Sequence, residues 1–477
     1  MKKAGSFFHS FSLVAIANLI TKPLWLALFV FAARKLGVYQ FGIYTYCFSI
    51  VIILSILIDF GLDYIAVRDV SVKNEKLNPF FNVVFLFRIF FTLLIIAGII
   101  VYYWLFNANK VIITTLIIIL LFQTTVILLQ FFRSLISAFH NFSLYSKLLV
   151  FEKLIIVVFG FISLIYSSNL ICFLFALLAG NLISFVYFLF TLKKHYQLKI
   201  GLPQLESLRY ILKSSLPLVL MNVFIMAYFR VDVLILNYIS GSKEIIGIYG
   251  SIHRIIEMYF LLPAVIMATA FPIISKKYNE DNPYIIKLVK NLLNFITVIS
   301  FPIVIIIAFN SYNINYLIFG SEYRSGYSGL IFLIWTILPL GYNYILGHIL
   351  IAANKQRYCA ITLSVASGVN ISLNYLLIPK YSFMGTCVAL LITEIIIFIF
   401  YSYYVEKFLG ELKISELTIK FISIVLVIFL SFYLLSFLSI NLYAISALLL
   451  SLAALLLIKT KILDIESFRE IIMAKSL

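Results

Sequence analysis

Two apolar runs in this chain carry charge where lipid would forbid it. Arg230 and Asp232 lie two residues apart inside the run that begins at Tyr210. His253, Arg254 and Glu257 follow in the next run, just before Leu261-Leu262-Pro263. A charged side chain near mid-bilayer costs about 2.5–3.5 kcal/mol even on the mild insertion scale, so such groups face a bundle interior or a wet cavity. Lys22 sits mid-span ahead of Pro23, Arg88 in the third apolar run, and Glu152 beside Lys153 in the fifth. Arginine suits phosphate oxygens because its planar fork makes paired hydrogen bonds. Lys22, Arg88, Lys153, Arg230 and Arg254 are therefore the candidate lining of a cationic cavity for an anionic substrate. Asp59, Asp232, Glu257 and Glu394 are the candidates for ion coupling or gating: they are placed to titrate or to bind Na⁺ and so tie transport to a gradient. H⁺ or Na⁺ is the only cofactor this implies.

The same residues admit a plainer reading as structural ion pairs. Arg254 and His253 stand three and four residues before Glu257, the spacings that meet on a helix surface. Glu152 and Lys153 are adjacent, about 100° apart on a helix, which argues against a simple pair between them. Asp59 and Asp63 fall near the cytoplasmic end of the second span, where Arg68 is placed to neutralise either, as a gate or cap. Pro23, Pro217 and Pro263 are candidate hinges, since proline removes a backbone bond and kinks a helix.

These groups need helices to hold them, and the composition supplies little else. The 477 residues are 64% hydrophobic and 12% charged, with a mean hydropathy of +1.11. Soluble domains sit nearer one quarter charged, so the chain reads as an all-α polytopic membrane protein. Runs of about 20 apolar residues predict about fourteen transmembrane helices, among them 8–32, 41–62, 210–239, 246–274, 417–438 and 441–458. The turn Gly241-Ser242-Lys243-Glu244 joins the central pair. With the N-terminus inside, Lys and Arg favour the cytoplasmic segments roughly four to one, which places both termini in the cytoplasm. The net charge of +17 reflects that bias and attraction to anionic headgroups, and nucleic acid is not needed to explain it.

Gly42-Ile43-Tyr44 and Gly247-Ile248-Tyr249 open the second and eighth spans in matching helix-turn-helix contexts. Six spans separate them, so the halves keep one orientation, related by a pseudo-two-fold along the membrane normal. This predicts two six-helix lobes, an N-terminal one over 1–200 and a C-terminal one over 201–408. A helix pair and cytoplasmic tail would follow over 409–477.

Covalent chemistry finds no constellation. No Gly-rich phosphate loop with Lys-Ser/Thr is present, and the histidines lack ligand spacing. Cys47, Cys172, Cys359 and Cys387 read as packing residues, with no metal implied. The short outer connections, the longest around 309–327, argue against an enzyme.

Several motifs carry a resemblance. Asn18, Lys22, Ala32-Ala33-Arg34-Lys35-Leu36-Gly37 and Phe41-Gly42-Ile43-Tyr44 resemble the start of the oligosaccharide flippase family, the Wzx-type O-antigen translocases. Asp59-Phe60-Gly61-Leu62 with Arg68 is similar to the end of that family's second helix. Pro217, Asp232, Gly247-Ile248-Tyr249, Arg254, Pro263 and Phe271-Pro272 with Ser275 resemble its central pair. Phe319-Gly320-Ser321-Glu322-Tyr323, Asn354-Lys355, Asn370, Asn374, Ile378-Pro379, Gly385 and Glu394 resemble its later half. The resemblance reaches to about residue 405. It implies the fold of the multidrug/oligosaccharidyl-lipid/polysaccharide exporter superfamily, with two six-helix lobes forming a V. It also implies an undecaprenyl-pyrophosphate-linked oligosaccharide as substrate, moved from the cytoplasmic to the periplasmic leaflet of the bacterial inner membrane. Membrane lipids, the glycan polymerase and other assembly proteins are the implied partners. A lipid II flippase, a multidrug exporter and a membrane glycan polymerase or ligase stand as the alternatives.

Overall fold

The computed structural model describes residues 2–72, 77–107, 109–198, 201, 205–278 and 282–410, with scattered helical residues between 427 and 456. Among the described residues every element is helical. Among these described residues, ten stretches are long and apolar enough to cross a membrane by length and composition. The predicted spans 417–438 and 441–458 fall almost wholly outside the described residues.

The chain forms two compact units, Met1–Gly250 and Ser251–Leu477. In the first unit, α1 (Lys2–Asp59) runs for 58 residues and contains the first predicted span and most of the second. They are joined through Gly37, whose φ of 75° and ψ of 169° suit a residue without Cβ. Phe60 and Gly61 then turn the chain left-handed into α2 (Leu62–Val72). Next come α3 (Leu77–Phe106), α4 (Lys110–Ala138), α5 (Phe142–Tyr166) and α6 (Leu170–Tyr196). Asparagines start three of them. Asn109, Asn141 and Asn169 each accept a bond from a backbone N–H of the first turn, at 2.9, 3.1 and 2.8 Å, satisfying donors that have no helical partner. A core of Phe81, Phe131, Phe132, Phe188 and their aliphatic neighbours fills the space among α2, α3, α4 and α6.

The predicted turn at 241–244 separates α7 (Leu205–Ser240) from α8 (Lys243–Tyr259). Gly241 takes φ of 64°, and Ser242 Oγ accepts from the Ile245 N–H at 3.3 Å. The predicted span 246–274 is interrupted: α8 ends at Tyr259 and α9 (Leu261–Lys277) begins after Phe260. Pro263 accounts for the break, because it has no N–H to offer the Tyr259 carbonyl.

The second unit continues through α10 (Asn282–Phe309), α11 (Ser311–Phe319) and a 3₁₀ turn at Ser321–Gly326. Then follow α12 (Tyr327–Leu333), α13 (Ile337–Ala352), α14 (Gln356–Tyr381) and α15 (Phe383–Leu409). Here α15 packs on α12, α13 and α14, while α13 also meets α9 and α10.

Candidate functional site

The break at Phe60–Gly61 puts two acids within reach of one cation. Arg88, carried on α3, is completely buried. Its Nη2 donates to Asp59 Oδ1 at 2.9 Å and to Asp63 Oδ1 at 2.5 Å, while Nη1 donates to the Ile127 carbonyl at 3.2 Å. The guanidinium lies 5.2 Å from the Phe131 ring centre. Two carboxylates thus share one nitrogen. Arg68 does not neutralise Asp59 or Asp63, as its place in the sequence suggested. It bonds to Asp69 at 2.9 Å, and to the Tyr210 hydroxyl at 3.1 Å. Arg88 reaches the two acids because α3 runs alongside the break, a neighbourhood that sequence distance hides.

A second cluster reverses that ratio. Arg133 on α4 hydrogen bonds to Glu152 on α5. Lys153 Nζ stands 2.8 Å from the other Glu152 oxygen, a charge contact without hydrogen-bond geometry. Adjacent residues do meet here, because the lysine stem is long enough to curl back across the angle between them. Two cations therefore serve one buried acid. Lys153 also lies 5.4 Å from the Trp25 ring of α1. Arg133 is 6% exposed within α4, a partner that the sequence alone did not single out. The clue was its position inside the 111–136 apolar run, one span before an acid of similar depth.

Elsewhere in the first unit, Lys22 is exposed on α1 immediately before Pro23, which lies inside the helix. Arg230 on α7 is partly buried, 5.5 Å from the Phe48 ring. Asp232 is buried and accepts from the Tyr249 hydroxyl of α8. Tyr249 closes the second Gly-Ile-Tyr motif and was not singled out as an acid's partner. Pro217 lies inside α7, and its side chain is outside the described residues.

In the second unit, Arg254 bonds to Glu257 at 2.6 Å and His253 stands 3.4 Å from the same carboxylate, at the two helical spacings. Pro263 is buried in the first turn of α9. Glu394 on α15 is 3% exposed and accepts from Asn343 of α13 at 2.7 Å. Asn370 of α14 donates to Thr393 at 3.2 Å, and Asn374 to Asn370. Asn343 thus gives the buried Glu394 carboxylate an amide hydrogen bond from the neighbouring helix. The sequence carried its signal only as asparagines inside apolar runs.

The structure therefore joins Arg88 to Asp59, Lys153 to Glu152, and Arg254 to Glu257, each within its own unit. Such clusters can hold a proton, a small cation or an anion by exchange of partners, and none presents a nucleophile beside a base.

A comparison with curated proteins returned no match. Solved structures do match. The chain resembles a lipid II flippase, MurJ, in an inward closed conformation, with a TM-score of 0.71 at 17% identity, covering 93% of this chain and 96% of that one. It also resembles an inward-facing multidrug resistance transporter of the MATE family in the MOP superfamily, with a TM-score of 0.67 at 13% identity, covering 84% and 99%. A MOP superfamily transporter from Pyrococcus furiosus, described by the reversed polarity of its binding pocket, gives 0.56 at 13% identity, covering 85% and 96%. At such identities these likenesses establish the fold, a two-lobed MurJ- and MATE-like helical architecture. The MatE family model matches residues 217–376. The model described as polysaccharide biosynthesis protein matches residues 8–278, more than half of the sequence. The chain belongs to the polysaccharide biosynthesis protein family.

Proposed function

We propose that this protein flips an undecaprenyl-pyrophosphate-linked oligosaccharide, an O-antigen or capsule repeat unit, from the cytoplasmic to the periplasmic leaflet of a bacterial inner membrane. Both termini lie in the cytoplasm, and the chain does no covalent chemistry. The observation that carries the reading is a set of cations on long apolar helices that retain exposure. Lys22 is exposed, Lys153 keeps 21% of its side chain accessible and Arg254 12%, and Arg230 is partly buried. A diphosphate carries the charge such groups attract, a glycan tolerates the hydrated space they require, and a polyprenyl tail needs only apolar helix surface. Arg88, with no exposure, contributes by holding Asp59 and Asp63 in place until partners exchange. Asp59, Asp232, Glu257 and Glu394 are the acids through which an H⁺ or Na⁺ gradient would drive the cycle, with Pro23, Pro217 and Pro263 as the points of bending. Membrane lipids surround the site, and the polymerase would receive the product.

Arg230→Ala and Arg254→Ala together should abolish surface glycan while the protein stays at its normal level in the membrane. Full restoration of glycan by the double variant would remove both arginines from the site. The likeness to MurJ favours one second reading, transport of lipid II. Deletion separates them, since loss of the sole lipid II flippase is lethal and loss of a surface-glycan flippase is commonly survived.

A further inference from the structure

The connection between α10 and α12 holds a cluster that the transport reading leaves unused. Tyr312 and Tyr316 stand one helical turn apart on α11, 41% and 48% exposed. Beyond Gly320, whose φ is 96°, the 3₁₀ turn brings Arg324 back over both. Its guanidinium carbon lies 4.9 Å from the Tyr312 ring centre and 5.4 Å from that of Tyr316. Tyr327, 39% exposed, meets Tyr312 edge to face at 5.6 Å.

The platform is braced from beneath. Buried Asn315 donates to the Tyr323 carbonyl. Tyr323, 1% exposed, packs against Phe319 with ring centres 5.8 Å apart. The turn is thereby tied to α11, and the exposed rings are held before any ligand arrives, which lowers the ordering cost of binding. Tyrosines of an interfacial belt each anchor separately at headgroup level. Three rings gathered with one arginine form a different surface, with apolar faces and a rim of N–H donors.

We infer that Tyr312, Tyr316, Arg324 and Tyr327 form a binding platform for pyranose rings of an oligosaccharide. The C–H face of a pyranose stacks on an aromatic ring, and its hydroxyl or carboxylate groups accept from the guanidinium. The Lys and Arg bias assigns this 309–327 connection to the outer side, where a translocated glycan emerges. The identity of the ligand rests on the oligosaccharide reading above.

The test uses the full chain in phosphatidylcholine nanodiscs, with saturation-transfer NMR on two soluble tetrasaccharides, one of N-acetylglucosamine and one of galacturonic acid. At least one should receive saturation at its ring protons. The Y312A/Y316A double variant should cut that transfer about tenfold, and Y312F/Y316F should retain it. Arg324→Ala should weaken it as well, and thermal unfolding should show each variant folded. Transfer to neither sugar, or equal transfer in Y312A/Y316A, overturns the inference. So does a double variant that loses only binding to phosphatidylglycerol vesicles, which would make the cluster a headgroup anchor. No translocation enters this readout. Sugar binding without glycan export therefore counts against the flippase reading alone, and export without sugar binding counts against the platform alone.

Discussion

Arg88 places two carboxylates on a single buried nitrogen. Removing one member of a buried ion cluster leaves uncompensated charge and costs about 3–5 kcal/mol. Arg88→Ala should therefore lower the unfolding temperature of the purified protein sharply, and adding D59N and D63N to that variant should recover most of the loss. An unchanged melting curve for Arg88→Ala would refute the pairing. At this scale the sequence showed which charged residues lie inside apolar runs. It did not disclose their partners, because pairing depends on helix rotation and depth. Asp59 and Asp63 look toward Arg68 along the chain, yet meet Arg88 in space. Glu152 was visible as an acid, whereas Arg133, its partner, was not singled out. The Tyr249 to Asp232 bond was hidden for the same reason, since hydroxyls carry no signal of their own in so aromatic a chain.

Helices were the most legible level, because length, hydropathy and asparagine starts all act locally. Their interruptions were less so. The break at Phe260 follows from Pro263, which the sequence offered as a hinge, but the fusion of the first two spans through Gly37 did not follow from hydropathy. Helix approach distances were invisible as well. A Cβ at Gly42 would run into the Lys243 carbonyl, and one at Gly247 into the Val38 carbonyl, so α1 and α8 meet backbone to backbone. The shared glycine of the two Gly-Ile-Tyr motifs thus has a packing reason. Gly42→Ala and Gly247→Ala should each destabilise the protein by about 1–3 kcal/mol, as overpacking does. Gly98→Ala, with open space around its Cα, should be neutral or slightly stabilising through helix propensity. Differential scanning of the three variants decides it. Equal melting temperatures would mean that the approach is not tight.

For the whole molecule, the charge bias makes a claim about sidedness that hydropathy cannot make. Green fluorescent protein fused after Leu477 should fluoresce, and alkaline phosphatase at the same place should be inactive. The opposite pair of results would invert the chain and put the tyrosine platform on the cytoplasmic side. Membership of the family was legible from motifs spread over the length of the chain, since Gly, Pro and in-span charges mark places where backbone or cavity constrains the residue. The identity of a ligand was not, because recognition depends on assembled surfaces such as that of Arg324 with Tyr312 and Tyr316.

The bond between Arg133 and Glu152 also bears on how the chain is made. Ribosomes deliver α4 first, and its guanidinium then lacks its Glu152 partner until α5 emerges from the translocon. Entry of α4 alone would carry an insertion penalty of about 2.5–3.5 kcal/mol if the charge reached the bilayer centre. The two helices therefore gain most by leaving the translocon as a hairpin, which gives Glu152 a role during biogenesis before any substrate is met.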